Sequence, residues 1–228
     1  MTLDYAVNQV LARIAEEDDE STIAELPDAD GSSSSPTITT RAQIITYLNE
    51  GARKLAELGL LQIRSTATEA AVSTQVVNYE DVADSTGRNP LRPVSARWTT
   101  AASVTTNLIV IGRELFESHL PSSASRIKTG VPERLYFAED HAVLWPAPAA
   151  GGTLKVDGLF HPKLIEDGSG VEIDDVPTRY DDALIAYGCM SVARQRVDNA
   201  GLAERLPIWE GEWMRQTGRG MKIVKEKA

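Results

Sequence analysis

Three histidines, a single cysteine and a few serine and acid clusters are the residues through which this 228-residue chain could do chemistry. His119, His141 and His161 stand at least 20 positions apart, and none has a second His or Cys at a short spacing. A metal site built on one helix face or hairpin needs such a pair, so each histidine reads as a surface or hydrogen-bonded residue. Asp28-Ala29-Asp30-Gly31 opens like a calcium loop. The sixth position is Ser33 and the twelfth Thr39, where the glycine and the bidentate glutamate belong, so it reads as a turn. Asp167, Glu172, Asp174 and Asp175 surround Gly168-Ser169-Gly170 and read as a solvated loop. Ser125-Arg126-Ile127-Lys128 matches the S-x-x-K of penicillin-recognising enzymes and Lys128-Thr129-Gly130 their K-T-G. Those enzymes need two separate lysines, whereas here both motifs share Lys128. Phosphate-cradling and nucleophile-elbow motifs are absent from the sequence. No catalytic residue, metal ligand or cofactor is therefore assigned, and the reading is not an enzyme.

Cys189 permits no intrachain disulfide and reads as a small core residue on a helix. Trp209 and Trp213 lie four apart, hence on one helix face. They suit a core, and paired indoles also suit a protein interface, which makes them candidate subunit-interface residues. A carbohydrate- or ligand-binding β module with helical flanks is the alternative from another class. Trp98, Tyr136 and Trp145 would then be its stacking residues.

The formal charge of −10 argues against a sequence-independent nucleic-acid binder, which draws its affinity from Lys and Arg on phosphates. The charge is uneven. Residues 1–30 hold nine acids against Arg13 alone, whereas after Gly218 four bases face Glu226 alone. In that closing tail, Arg219, Met221, Lys222, Ile223, Val224 and Lys225 combine charge with groove-filling apolar side chains, a docking pattern. No basic segment followed by an apolar run opens the sequence, and no run of about 18 apolar residues occurs. The expectation is a protein that is cytosolic during synthesis, with no membrane as partner.

The elements that must position these residues follow from periodicity. Leu3, Val7, Val10, Leu11 and Ile14 predict an amphipathic helix of about four turns. Pro27 and the serine-rich stretch 31–36 predict a flexible connection. Thr40-Arg41-Ala42-Gln43 has capping-box form, Ile44, Leu48, Ala52, Leu55 and Leu58 make a stripe, and Gly59 supplies a left-handed stop. β-Branched runs predict strands at 68–79, 91–99 and 106–111, and one helical turn at 114–120. A hairpin at 134–137 and 142–145 turns at Glu139-Asp140-His141, and a further strand covers 153–160. Thr178 is the expected N-cap of a helix with Asp181 and Asp182 in its first turn, and Ala183, Tyr187, Met190, Arg194 and Val197 sharing a face. Asn199-Ala200-Gly201 interrupts it. A last helix carries Leu202, Leu206, Trp209 and Trp213, kinked or restarted at Pro207.

The order of several short elements adds to this reading: Asn49-Glu50-Gly51, Gly130-Val131-Pro132, Tyr136, Pro146-Ala147-Pro148, His161-Pro162-Lys163-Leu164 and Val176-Pro177. Over roughly residues 40–215 the chain resembles the head–tail connector (adaptor) proteins of tailed bacteriophages. The spacing to Tyr136 is one residue longer than that pattern, and the serine-rich insert and acidic first helix have no counterpart in it. The resemblance implies a structural protein of the virion neck at the capsid vertex, made in the host cytoplasm. It implies a ring, commonly a dodecamer, that touches portal protein on one side and a tail or neck protein on the other. DNA would pass through without specific binding, and no cofactor would be needed. A tail-completion or other neck protein is the alternative within the virion. The fold expected is α+β: a helical bundle formed by N- and C-terminal segments, an inserted antiparallel β domain, and extended termini. Its parts are N-terminal helices with an acidic, serine-rich linker (1–62), the β domain (63–165), C-terminal helices completing the helical layer (166–217) and the basic tail (218–228), the candidate portal contact.

Overall fold

The computed structural model of the chain describes residues 1–15, 39–79, 81–112, 128–137, 141–196 and 199–218. Among them the protein is mixed α+β, with four α-helices and a large β-sheet. It divides into two compact units, Met1–Leu61 with Leu164–Ala228, and Gln62–Lys163.

In the helical unit, α1 (Leu3–Ala15) buries Leu3, Ala6, Val7, Val10 and Ile14 along one stripe. Helix α2 (Arg41–Glu57) opens on the expected capping box: Gln43 N donates to Thr40 Oγ1 at 3.3 Å, and Thr40 N to Gln43 Oε1 at 3.0 Å. Gly59 follows with φ 74°, the left-handed stop its lack of Cβ permits. Helix α3 (Asp181–Gln195) packs against α1, α2 and α4 (Ala200–Thr217). It is consequently buried on nearly every side, through Ala183, Leu184, Ile185, Ala186, Cys189, Met190 and Ala193 among others. The expected single face is therefore too narrow a description: Ala183 and Met190 are buried, but so are residues opposite them, while Arg194 is exposed. Val197 lies outside the described residues.

Two expectations about helix ends need correcting. Thr178 does not cap α3; the Pro177 carbonyl accepts from Tyr180 N at 2.8 Å and closes a 3-10 turn, Thr178–Tyr180, so the α-helix starts at Asp181 without a side-chain cap. Pro207 neither restarts nor ends α4, which runs unbroken from Ala200 to Thr217. Pro207 is exposed, so water can reach the Ala203 carbonyl that the missing N–H would have bonded. Asn199 caps this helix, its Oδ1 accepting from Leu202 N at 3.2 Å.

The start of the chain is stitched to the acidic loop before α3. Leu3 N donates to Val171 O at 2.8 Å and Ile173 N to Met1 O at 2.9 Å, flanking a bridge between Thr2 and Glu172. Arg41 reaches Asp4 at 2.7 Å and Asp167 at 2.8 Å. Asp4 also accepts from Gly170 N at 3.0 Å, and these donors, the Gly170 amide before Arg41, hold its carboxyl below the usual range. The loop read as merely solvated is thus partly tied down by Arg41 and Asp4.

The second unit carries nine strands: β1 (Ile63–Val72), β2 (Val76–Asn78), β3 (Pro90–Thr100), β4 (Thr105–Gly112), β5 (Thr129–Gly130), β6 (Arg134–Phe137), β7 (His141–Trp145), β8 (Ala147–Pro148) and β9 (Gly152–Phe160). Seven form one sheet in the order β1-β9-β3-β4-β6-β7-β2, and β5 pairs with β8 in a small second one. The single strand expected over 68–79 is in fact two. Ser73-Thr74-Gln75 breaks it, and β1 and β2 then occupy opposite edges of the sheet. The wholly antiparallel expectation also needs correcting, since β4 and β6 run parallel. Residues 113–133 separate them, the dozen or more that a parallel pair requires. The expected hairpin of β6 and β7 is present, with His141 in β7 rather than in the turn. The turn's residues 138–140, and the helical turn expected at 114–120, lie outside the described residues.

Trp98, Leu135, Leu144, Leu154, Val156 and Phe160 anchor the core of this unit. Gly152, one residue before the expected strand, is the first residue of β9, and the Trp98 indole lies across it; a Cβ there would meet the Thr99 carbonyl oxygen at 2.7 Å and overlap Trp98. Next to Ser65 of β1, the loop from Asp84 to Arg88 closes around the Asp84 carboxylate. It accepts from Ser65 Oγ (2.6 Å), Thr86 Oγ1 (2.7 Å), Thr86 N (2.8 Å) and Arg88 N (2.9 Å).

Candidate interaction surfaces

The short elements that carried the resemblance turn out to be fasteners. The Asn49 side-chain amide clasps one peptide group on each side: Nδ2 donates to Ile165 O at 3.1 Å, and Ile165 N donates to Oδ1 at 2.7 Å. This fixes the returning chain against α2. Two residues on, Gly51 brings α2 so close to α3 that a Cβ would lie 2.9 Å from Leu184 Cδ1 and 3.0 Å from Tyr187 Cδ1. Gly130 and Pro148, from two different elements 18 positions apart, are register partners in the β5–β8 pair, and Ala149 N donates to Gly130 O at 3.0 Å. Their order in the sequence reflects which parts must meet.

Among the described residues, no three His, Cys, Asp or Glu side chains come together as a metal site. Burial pushes the Cys189 thiol up to about 12 and its sulfur faces the Val10 carbonyl at 3.9 Å, so it is an inert core group. Native protein at mildly alkaline pH is accordingly expected to react with a thiol reagent at least about a hundredfold more slowly than the unfolded chain. Absorbance of the released chromophore with and without denaturant measures this directly.

Trp209 and Trp213 are 4% and 8% exposed, so both belong mainly to the core of the helical unit. Trp213 packs on Tyr187 with ring centroids 5.0 Å apart and planes at 58°, a tilted arrangement that the ring quadrupoles favour. These two rings line a groove of about 560 Å³ formed by the end of α2, the middle of α3 and the second half of α4. Its rim carries two ion pairs, Lys54 with Glu57 at 2.7 Å and Arg194 with Glu210 at 2.8 Å. Met214, 41% exposed, lies in the groove wall, and Ile208, 64% exposed, stands about 120° around α4 from it. Neither residue was singled out from the sequence. The legible signal was that both are large apolar residues standing off the Leu202–Trp209–Trp213 stripe.

The tail candidates Arg219, Met221, Lys222, Ile223, Val224 and Lys225 lie outside the described residues. Trp98, Tyr136 and Trp145 are 1%, 2% and 8% exposed, which removes the stacking platform a carbohydrate-binding module would need. Of the three, Trp98 packs within the core of the β unit.

Compared with models of known protein families, residues 2–224 match that of the SU10 adaptor protein. The chain belongs to the SU10 adaptor family. This is a phage head–tail adaptor family, and the match covers nearly the whole sequence, including both compact units. A search of curated proteins found no match. SU10 adaptor membership makes this a bacteriophage structural adaptor, a component of the virion that interacts with other head–tail parts. No helix among the described residues is long and apolar enough to cross a membrane.

Proposed function

We propose that the protein is one subunit of a ring, a dodecamer, seated between portal and tail and passing DNA without binding it specifically. The observation that carries this reading is the family match over residues 2–224. Its work is mechanical joining by extended surfaces. In this reading the four helices from the two ends of the chain form a bundle, the β domain of residues 63–165 is inserted into it, and tail 218–228 reaches the portal. Met214, exposed on α4 beside the stripe of Trp209 and Trp213, meets the next copy in the ring. Apolar surface flanking a groove with an aromatic wall is the kind of patch that partners cover.

The mass of the protein mixed with its portal, by native mass spectrometry or light scattering, tests the ring. A closed assembly on the portal supports it, and a persistent monomer beside free portal overturns it. Deleting residues 218–228 is expected to weaken co-assembly with portal at least about tenfold while the helices stay folded by circular dichroism. Unchanged co-assembly removes the tail from the portal contact.

A further inference from the structure

The β unit, Gln62–Lys163, contains ten acids and ten bases, and four of the bases gather on one face of its large sheet. On the solvent face of the large sheet, Arg64 of β1 and Arg92 of β3 both pair with Leu159 of β9, one on each side. Two residue pairs along β9, Lys155 lies directly opposite Arg97 of β3. All three arginines are exposed and Lys155 is half-buried. Among the described residues, Arg64, Arg92 and Lys155 have no acidic partner, and Asp157 engages Arg97 alone of the four, at 3.2 Å. Like charges directly opposite in a ladder cost stability, about 0.2–1 kcal/mol a pair, and Asp157, which lies between the two rows, offsets only Arg97. The arrangement fits an acidic polypeptide lying along the sheet.

The same chain holds such a polypeptide. Between Glu16 and Asp30 it has eight acids and no base. The two cation rows are four residues apart on β9, about 13 Å, and an extended Glu16–Glu20 spans about the same. We propose that the acidic segment Glu16–Asp30 of a second copy docks on the face formed by Arg64, Arg92, Arg97 and Lys155. This rests on the ring reading, because a head-to-tail ring needs two different, complementary surfaces on each copy. A nucleic-acid backbone is disfavoured by the chain's overall charge of −10.

The test mixes equal amounts of isotope-labelled and unlabelled full-length protein, joins amines to carboxylates with a zero-length carbodiimide, and sequences the linked peptides. The expected result is Lys155 linked to an acid between Glu16 and Asp30 in peptides of mixed isotope. The yield should fall at least about tenfold in high salt, because exposed charges are screened, and as far in R64E/R92E, which keeps Lys155. An assembly of ring mass without this link overturns the docking and leaves the ring standing. Links confined to one isotope overturn the second-copy assignment. If the protein stays monomeric, the ring reading fails separately; a fluorescent peptide of residues 16–30 then tests the face directly, salt-sensitive binding supporting it and no binding overturning it. Protection of Lys155 by a short DNA duplex, with no competition from that peptide, also overturns the proposal.

Discussion

Replacing Asp84 by alanine is expected to destabilise the β unit by about 3 kcal/mol, because it removes the one buried acceptor that four partly buried donors share. The Asp84 side chain is 2% exposed and is the common acceptor for Ser65, Thr86 and Arg88, so the substitution leaves two backbone amides and two hydroxyls without their acceptor. Thermal unfolding followed by far-ultraviolet circular dichroism should show the β transition about 15 °C lower. A shift of a few degrees would mean that water replaces the carboxylate. The same network predicts a pH dependence. Burial alone would raise the Asp84 pKa, but the donors, led by the Ser65 hydroxyl, outweigh it and hold the carboxyl far below the usual range. A folded-state pKa below the unfolded one contributes stability that is complete above the unfolded value, about 3.9, and is lost as pH falls from there toward the folded value. Wild-type protein should therefore lose stability steeply below about pH 4, and Asp84→Asn, already weakened, should lose less over that interval.

Gly51→Leu is expected to cost the helical unit about 3 kcal/mol, or its fold altogether, because there is no room between α2 and α3 for a side chain. Leu184 could turn its methyl aside, but the Tyr187 ring at 3.0 Å is held by Trp213 on its other flank. The control is the same kind of change at another helical glycine. A Cβ on Gly211 meets nothing within 4 Å, so Gly211→Ala should raise helix stability by about 1 kcal/mol, the ordinary propensity difference. Gly51→Ala should show no such gain. Urea unfolding monitored by tryptophan fluorescence, with Trp209 and Trp213 reporting on this unit, measures all three. Equal gains from alanine at 51 and 211 would refute the close approach.

Much of the helical half was legible in the chain. The stripe of α1, the capping box at Thr40, the stop at Gly59 and the Asn199 boundary are local devices, each written within a few residues and satisfied by neighbours within one turn. The Pro177 turn was misread because a proline carbonyl and a threonine hydroxyl compete for the same donors, and local sequence does not choose between them. In the β half, the strands read at 91–99, 134–137 and 153–160 lie within one residue of the observed β3, β6 and β9. The break at Ser73–Gln75 did not stand out, since polar Ser and Thr occur freely in strands. Nor did the parallel β4–β6 pair, which depends on where a strand returns to the sheet.

The sequence by itself determined which segments could be helix or strand, the unevenness of charge, the absence of catalytic motifs, and the resemblance to phage adaptors through the order of its Gly and Pro elements. Tertiary structure alone decided what those elements do: Asn49 clasping Ile165, Gly51 admitting α3, Gly130 meeting Pro148, Asp84 gathering a loop, and four cations from three strands on one face. The physical reason is range. Caps and amphipathic stripes are governed by hydrogen bonds and burial over three or four residues, whereas these contacts join positions up to more than a hundred residues apart, and pairing at that separation follows from strand order and packing that no local window contains.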